Sequence, residues 1–253
     1  MSAADSSFNR DLSIILVRTR NPLNIGAVAR AMANFGASQL RLVSPYDPSF
    51  REARSAVGAS ELLANAEVCE SVAEAVADCT LVIGTTAATN RSVSLPLITL
   101  PAAAPQIVRA AHTGKVALLF GSEKRGLANE DMSYCHWLMR IPTTRQSPSM
   151  NLAQSVVVVL YELARWSQTQ SSVKSEGSPA ADPPAKMQSL LRLAKVMHET
   201  LECCGYYSEA AAASSEEQLR RLLLRMKLTE LDAEIVVGMF RQIVWKLRAN
   251  SRE

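Results

Sequence analysis

The chain has 253 residues, of which 48% are hydrophobic and 20% are charged, so it is long enough to bury a core without disulfide or metal support. The longest apolar run, around residues 155–160, is far shorter than the roughly 20 residues that a membrane-spanning helix requires. Residues 1–10 are polar and lack the apolar core of a signal peptide. These features argue against a disordered, membrane-spanning or secreted chain, and we expect a soluble, cytoplasmic protein.

Charge and cysteine content narrow the possible partners. A net charge of +3 is small for a nucleic-acid-binding protein, so any such surface must be a local patch. The five cysteines include no C-x-x-C pair and have no histidine at zinc spacing, so we expect neither a metal site nor structural disulfides. The adjacent Cys203 and Cys204 could be a redox pair, but we interpret them as half-buried helix residues.

Strand-like and helix-like segments alternate over the first 166 residues. Short apolar runs rich in β-branched residues predict strands at residues 12–18, 39–43, 80–85, 115–120 and 137–141. Apolar residues at helical spacing predict helices at residues 25–35, 71–78, 102–112 and 152–166. Because strands and helices alternate, we predict an α/β domain with a mostly parallel sheet over residues 1–166.

The C-terminal part has a different composition. Residues 167–184 are rich in Ser, Gln and Pro and lack a hydrophobic period, which is typical of a flexible linker. Helical periodicity returns at residues 185–204, 215–226 and 229–248, with Ser214 or Ser215 and Thr229 as candidate N-caps. Residues 185–253 are thus a small α-helical domain, which we expect to dock on another surface or on a second subunit.

Three polar, glycine-containing segments each follow a predicted strand directly: TRNPLNIGAVAR at residues 19–30, FGSEKRGL at 120–127 and IPTTRQSPSMNL at 141–152. In parallel α/β sheets, ligands bind at the carboxyl ends of the strands. The three segments are therefore expected to form one site.

Each polar residue of these segments also has an ordinary structural explanation. Asn24 could simply cap a helix, and Arg30 could lie on a solvated helix face. The second segment could be a surface turn, and Ser149 or Asn151 could cap the helix that follows.

The order and separation of the three segments are more specific than any one residue. Asn-x-Gly-x-x-x-Arg, Gly-x-Glu-x-x-Gly-Leu and Ser-x-Asn-Leu together resemble the signature motifs of the 2′-O-ribose methyltransferases in the TrmH branch of the SPOUT superfamily, over residues 12–166. The segments VARAMANFG, GTTA and NLAQSVVVVLYELARW, with the helical tail, are most similar to the TrmJ type, which methylates tRNA at the ribose of nucleotide 32. The chain departs from the family after the GT-x-A element, where an arginine is common. This chain has Ala88 there, and its nearest arginine is Arg91.

The resemblance implies a trefoil knot in the last part of the α/β domain, a homodimer, a tRNA substrate and no metal. It also implies that S-adenosylmethionine is the methyl donor, held in loops, which agrees with the lack of a G-x-G-x-x-G segment after the first strand. The residues expected to enclose the donor are Thr85, Thr86, Ala87, Gly121, Ile141, Ser149, Met150, Asn151 and Leu152.

By the same resemblance, Arg30 activates the 2′-hydroxyl, while Asn24 and Glu123 hold Arg30 or the ribose in position. An ordinary guanidinium keeps its proton at neutral pH. Arg30 therefore either acts as an unusual base, or it grips the target phosphate and hydroxyl while a phosphate oxygen or water accepts the proton.

Basic residues on or beside the loops are candidates for contact with the RNA backbone: Arg18, Arg20, Arg91, Lys124, Arg125 and Arg145. Taken singly, each of them is better explained as an ordinary solvated charge. The three tryptophans, Trp137, Trp166 and Trp245, lie beside apolar runs, which favours packing in a core or interface over stacking on bases. We assign no chemistry to His112, His136 or His198, which lie outside the loops.

Two other functions stay open. A methyltransferase acting on rRNA would share the three motifs, although the C-terminal helical tail favours tRNA. A relative that only binds RNA would not need a complete donor pocket, and the presence of Asn24, Arg30, Glu123, Ser149 and Asn151 argues against it.

Overall fold

The structure, a computed structural model, describes residues 7–46, 50–51, 53, 55–87, 95–170, 182–207 and 212–250. Seven strands lie within these residues: β1 (Leu12–Val17), β2 (Gln39–Val43), β3 (Glu67–Cys69), β4 (Leu81–Thr85), β5 (Leu97–Thr99), β6 (Val116–Phe120) and β7 (Trp137–Arg140). They form one parallel sheet in the order β3-β2-β1-β6-β4-β7-β5. The predicted α/β class is confirmed.

Nine α-helices accompany the sheet in the described part of the chain: α1 (Pro22–Phe35), α2 (Ser60–Ala64), α3 (Val72–Ala75), α4 (Leu100–Ala111), α5 (Asn129–Met132), α6 (Leu152–Gln170), α7 (Met187–Cys203), α8 (Ala212–Met226) and α9 (Glu230–Asn250). None of the helices in the described ranges is long and apolar enough to cross a bilayer.

Both faces of the sheet are buried, as the uniformly apolar strands require. Leu12, Ile14 and Leu16 of β1 point to one face, where α1, α4 and α6 cover the sheet. Ile15 and Val17 point to the other face. Because successive strand side chains alternate between faces, β1 contributes to two separate cores.

The C-terminal helices cover part of the second face. Met187 and Leu190 of α7 join the same core as the strands, together with Leu224 of α8 and Ala233 of α9. The backbone amide of Met187 donates to the carbonyl of Cys79 at 2.8 Å, just before β4. The helical domain therefore docks on the α/β part of its own chain, the first of the two possibilities that the sequence left open.

Several boundaries differ from the sequence-based prediction. Helix α1 begins at Pro22 rather than at residue 25, because Asn21 caps it and proline suits the first helical position. Helix α6 continues to Gln170, four residues into the predicted linker, and residues 171–181 of that linker lie outside the described residues. Helix α8 begins at Ala212, so Ser214 and Ser215 lie inside it and are not its N-cap. The predicted cap of α9 is confirmed, since the amide of Asp232 donates to the hydroxyl of Thr229.

The predicted half-burial of Cys203 and Cys204 is wrong. Cys203 and Cys204 are exposed, because α7 ends at Cys203 beyond the region that packs on the sheet. The predicted core or interface packing of the tryptophans is met by Trp137, which is buried in the core, whereas Trp245 is 63% exposed on α9, so that for Trp245 an interface stays a prediction.

The last strand of the sheet is inserted between two earlier ones. Strand β7 pairs with both β4 and β5, although both precede it in the chain. Such a return is compatible with the trefoil knot that the resemblance implies, and the knot itself stays a prediction.

Candidate active site

A cleft opens at the carboxyl edge of the sheet, where the loops after β4, β6 and β7 meet. Its volume is about 440 Å³. Eight of the nine residues predicted to enclose a methyl donor line it: Thr85, Thr86, Ala87, Gly121, Ile141, Ser149, Met150 and Leu152. The structure thus brings together residues that are up to 67 positions apart in the sequence.

The ninth predicted pocket residue, Asn151, lies beside the cleft and caps α6. Its side-chain oxygen accepts hydrogen bonds from the backbone amides of Ala153 at 2.9 Å and Gln154 at 3.4 Å. Its side-chain NH₂ group donates to the side-chain oxygen of Asn24 at 3.2 Å. Asn151 is therefore a helix cap that also joins the third loop to the first.

Asn24 connects this pair to the second loop. Its NH₂ group donates to Glu123 at 2.8 Å. Glu123, Asn24 and Asn151 thus form a continuous chain of side-chain hydrogen bonds through all three motif segments. We call these three residues the polar relay.

Glu123 also binds the backbone at the start of α1. Its carboxylate accepts from the amides of Arg20 at 3.1 Å and Asn21 at 3.3 Å. Partial burial opposes ionisation of this carboxyl, but the hydrogen bonds from Asn24 and from backbone amides outweigh it, so the pKa of Glu123 lies below its ordinary value. At neutral pH, Glu123 is therefore ionised, and its carboxylate holds the first loop in place through these hydrogen bonds.

The second loop folds back on itself at two glycines. The amide of Gly126 donates to the carbonyl of Ser122 at 2.8 Å, and Gly126 has a φ of 67°, which favours glycine. A Cβ atom on Gly121 would lie 2.0 Å from the carbonyl carbon of Gly126. Only glycine at position 121 permits this closed loop, which carries Glu123 at its tip.

A second, basic cavity of about 640 Å³ adjoins the cleft, with which it shares Ser122, Lys124, Arg125 and Gly126. Arg18 and Arg20 also line it, so four of the predicted RNA-binding residues come together. We call this cavity the basic groove. A polyanion in the groove would lie directly beside the cleft.

The sequence analysis missed Tyr46 and Glu130, which line the basic groove, and Asp131, which lies behind it. Tyr46 lies under the Arg20 guanidinium, 5.3 Å from ring centroid to carbon. The buried Asp131 accepts a hydrogen bond from Arg18, and Glu130 also lines the groove. No motif marks these residues, because their role depends on contacts between distant segments.

The remaining predicted site residues are not gathered in the cleft. Arg30 is exposed on α1, about 9 Å along the helix axis from Asn24, and its guanidinium has no partner among the described residues. Arg145 is exposed on the loop after β7. Arg91, like Ala88, lies outside the described residues.

Burial shifts the pKa of His136 and of Cys69. Burial lowers the pKa of His136 to about 4, and its Nδ1 accepts from the amide of Val82 at 3.1 Å, so the ring is neutral. Burial raises the pKa of Cys69 to about 11. In the described part of the chain, no three His, Cys, Asp or Glu side chains are grouped so that they could hold a metal ion.

Comparison with known proteins extends over most of the chain. The SpoU rRNA Methylase family matches residues 11–161. The tRNA (cytidine/uridine-2′-O-)-methyltransferase TrmJ of Sodalis glossinidius is 33% identical over 239 residues, 92% of this chain and 91% of that protein. The protein of the same name from Escherichia coli K12 is 31% identical over 246 residues, 96% of this chain and 99% of its own length.

A crystal structure of TrmJ from Z. mobilis ZM4 aligns with a TM-score of 0.79 at 33% identity, covering 91% of this chain and 98% of that one. The similarity therefore includes the C-terminal helices as well as the α/β part.

Proposed function

Because the chain belongs to the SpoU rRNA methylase family, we propose that it methylates a ribose 2′-hydroxyl of tRNA in the cytoplasm, at nucleotide 32 of the anticodon loop, with S-adenosylmethionine as donor. The observation that carries the proposal is the polar relay. It holds three distant loops together around a cleft for the donor and beside a groove for the RNA.

The residues of the cleft fit such a donor. Its volume lies within the range of small-molecule sites, and its lining combines apolar side chains with hydroxyls. Ile141, Leu152 and Met139 offer apolar contact to an adenine ring, while Thr86 and Ser149 offer hydroxyls to the polar parts. Bound there, S-adenosylmethionine would supply an electrophilic methyl group.

The chain's own task is then to orient the acceptor. Arg20 and Lys124 of the basic groove would bind phosphates on either side of the target nucleotide, which brings the ribose to the rim of the cleft. The guanidinium of Arg30 would donate to the target phosphate and hydroxyl, and a phosphate oxygen or water would accept the hydroxyl proton.

Arg30 would reach the site from a second subunit. Leu23 and Arg30 lie two turns apart and so share one exposed face of α1. Helix α6 runs beside α1, and it exposes Val157 and Tyr161. Exposed apolar side chains around an unpaired arginine favour a homodimer in which this face is buried and Arg30 of the partner subunit completes the cleft.

The extent of the similarity favours tRNA over rRNA. The family's description refers to rRNA, but relatives matched from end to end, through the C-terminal helices, are tRNA methyltransferases. An rRNA substrate is the second candidate, carried by the family match alone.

The test is to incubate the protein with labelled S-adenosylmethionine and unmodified tRNA or rRNA transcripts, then locate the methyl group by nuclease digestion and mass spectrometry. We expect a 2′-O-methylribose at nucleotide 32 of tRNA, lost when that nucleotide is changed to its 2′-deoxy form. A methyl group on a base would refute ribose methylation. Transfer to rRNA alone would support the second candidate.

A further inference from the structure

Tyr46 presents an exposed aromatic ring in the basic groove. It follows β2, its side chain is 74% exposed, and it lines the groove together with Arg18, Arg20, Lys124 and Arg125. Among the described residues of that lining it is the only aromatic one. A single exposed ring is common on protein surfaces. In a groove lined by four cations, however, the ring lies where a nucleobase could stack on it.

The guanidinium of Arg20 covers part of this ring. Its central carbon lies 5.3 Å from the ring centroid, a distance at which the cation is attracted to the π-system. The Arg20 side chain makes no ion pair within the described part of the chain, so no carboxylate competes with the ring for it. A guanidinium over a ring can still donate its N–H groups to a phosphate. Because most of Tyr46 is exposed, ring surface also remains available for a second stacking partner.

Two hydrogen bonds fix the position of Tyr46 relative to the active site. The amide of Tyr46 donates to the carbonyl of Thr19 at 3.1 Å. The next residue, Arg20, donates its own amide to the carboxylate of Glu123 at 3.1 Å, and Glu123 lines the donor cleft. A base that stacks on Tyr46 must therefore belong to a nucleotide close to the one that reacts.

The backbone on both sides of the groove wall is strained. Arg18 and Ser44 have φ values of 52° and 45°, in the left-handed region that residues other than glycine rarely adopt. The amide of Arg18 donates to the carbonyl of Val43 at 2.8 Å, and its side chain donates to Asp131. The hydroxyl of Ser44 donates to the carbonyl of Glu70 at 3.1 Å. Such strain persists only where the surroundings hold it, so this wall is rigid and would lose little conformational freedom when a base stacks.

We propose that Tyr46 is a base-stacking platform, on which the unpaired base next to target nucleotide 32 lies while Arg20 binds the phosphate between the two nucleotides. The platform rests on the proposed function in that tRNA is the RNA concerned. Stacking tolerates every base, since each has a π-face, but the base must first leave the stack of its own strand. Tyr46 would therefore select a looped segment over a regular RNA helix without reading its sequence.

The contact is tested by removing the ring and the base separately and together. Tyr46→Leu keeps an apolar side chain without a π-face, and tRNA is prepared with an abasic site at nucleotide 32 or at either of its neighbours. Fluorescence anisotropy measures affinity. Loss of the ring, or of the base at one neighbour, should each weaken binding about fivefold or more. The two losses together should weaken it no further, because they remove the same contact. Tyr46→Phe should behave like the wild type.

Tyr206→Leu is the matched control. Tyr206 is 72% exposed beyond the end of α7 and lines neither the basic groove nor the cleft, so any effect of this variant should add independently to that of each abasic site. A fluorescent base, 2-aminopurine, at the same neighbour of nucleotide 32 should be dimmer in complexes with the wild type and Tyr46→Phe than in the complex with Tyr46→Leu. A purely structural role of Tyr46 would produce neither the coupling nor the quenching.

The outcomes separate the platform from the proposed activity. If the wild type methylates tRNA but the effects of Tyr46→Leu and every abasic site are additive, the platform is refuted and the proposed function stands. If one neighbour shows the coupling but the wild type transfers no methyl group to tRNA, the platform stands and the activity is refuted. Coupling at nucleotide 32 itself would place the reacting base on the ring and refute the assignment to a neighbour. Absence of wild-type tRNA binding refutes both.

Discussion

The side chain of Asn151 donates to the side-chain oxygen of Asn24 at 3.2 Å, and this bond ties the start of α6 to the first turn of α1. The direction of the bond is fixed from both ends. The Glu123 carboxylate can only accept, so Asn24 presents its NH₂ group there and its oxygen to Asn151. The oxygen of Asn151 is occupied by amides of α6. The side-chain amides of both asparagines in the polar relay therefore have a single orientation.

Asn24→Asp should break the relay with little change in size. Aspartate cannot donate to Glu123 and places a second negative charge beside it, so the loops should separate. We expect kcat/KM for methyl transfer to fall at least about tenfold. Steady-state kinetics with tRNA checks this, and Asn65→Asp, at the exposed end of α2, is the control. Unchanged kinetics for Asn24→Asp would contradict the role of the relay.

Gly121→Ala should abolish the closed second loop. The added Cβ would overlap the backbone of Gly126, which cannot move aside as a flexible side chain could. We expect loss of S-adenosylmethionine binding by calorimetry, and a circular dichroism spectrum like that of the wild type, because the loop lies outside the core.

Gly238→Ala is the matched control. This glycine lies in α9 with no atom within 4 Å of the added Cβ, so the variant should bind the donor normally and be up to about 1 kcal/mol more stable. Normal donor binding by Gly121→Ala would show that the loop does not form the donor site.

Hydrophobic pattern was enough to predict the larger elements of the fold. Strands β1, β2, β4, β6 and β7 each contain a run of buried apolar residues, and all five were predicted. Strands β3 and β5 were missed, since each has three residues at the sheet edge, and only Cys69 of β3 is fully buried. A strand of three residues is too short for a pattern of apolar residues to be recognised in the sequence.

The sequence predicts the site residues that lie in motif segments after strands. It does not predict contacts between segments that share no motif. Asn24, Glu123 and Asn151 lie in segments that follow strands directly, so their convergence follows from the parallel sheet. The contacts of Arg18 with Asp131 and of Arg20 with Tyr46 join segments with no shared motif. The exposure of Trp245 depends on how α9 packs on α7, which the helical period alone does not determine.

Arg30→Ala should reduce methyl transfer by roughly 100-fold or more, because a donor to the reacting phosphate and hydroxyl is lost. Arg30→Lys keeps the charge but not the two-pronged geometry, so its activity should lie between those of Arg30→Ala and the wild type. Single-turnover rates at saturating tRNA measure the chemical step. Binding of S-adenosylmethionine should be unchanged in both variants, since the proposed contacts of Arg30 are with the target phosphate and hydroxyl and not with the donor.

Mixing two inactive variants tests whether subunits share the site. Arg30→Ala and Gly121→Ala, refolded together, should regain about a quarter of wild-type activity, because half of the dimers are mixed and each mixed dimer has one intact site. A site completed within one subunit would regain none. Analytical ultracentrifugation verifies that both variants remain dimers.

Asp78 is the centre of an ion-pair cluster near the docking surface of the helical domain. Both of its carboxylate oxygens accept from Arg41, at 2.6 and 2.8 Å, and Lys115 donates to it at 2.8 Å. The hydrogen bonds from Arg41 hold the pKa of Asp78 well below its ordinary value against the opposing effect of burial, and Lys115 lowers it further. The next residue, Cys79, accepts the amide that begins α7.

Asp78→Asn should therefore destabilise the fold by about 1–2 kcal/mol at pH 7, a value that allows for solvent screening of a side chain that is 36% exposed. A carboxyl whose pKa is lowered by folding stabilises the native state above its unfolded pKa, about 4, and this stabilisation is lost as the pH falls through the folded value. The difference between wild type and variant should be constant from about pH 5 to 8 and should narrow below about pH 4. Urea unfolding across this range measures it, with Glu61→Gln on the exposed side of α2 as the control. A difference that widened as the pH fell would mean that the carboxylate destabilises the native state.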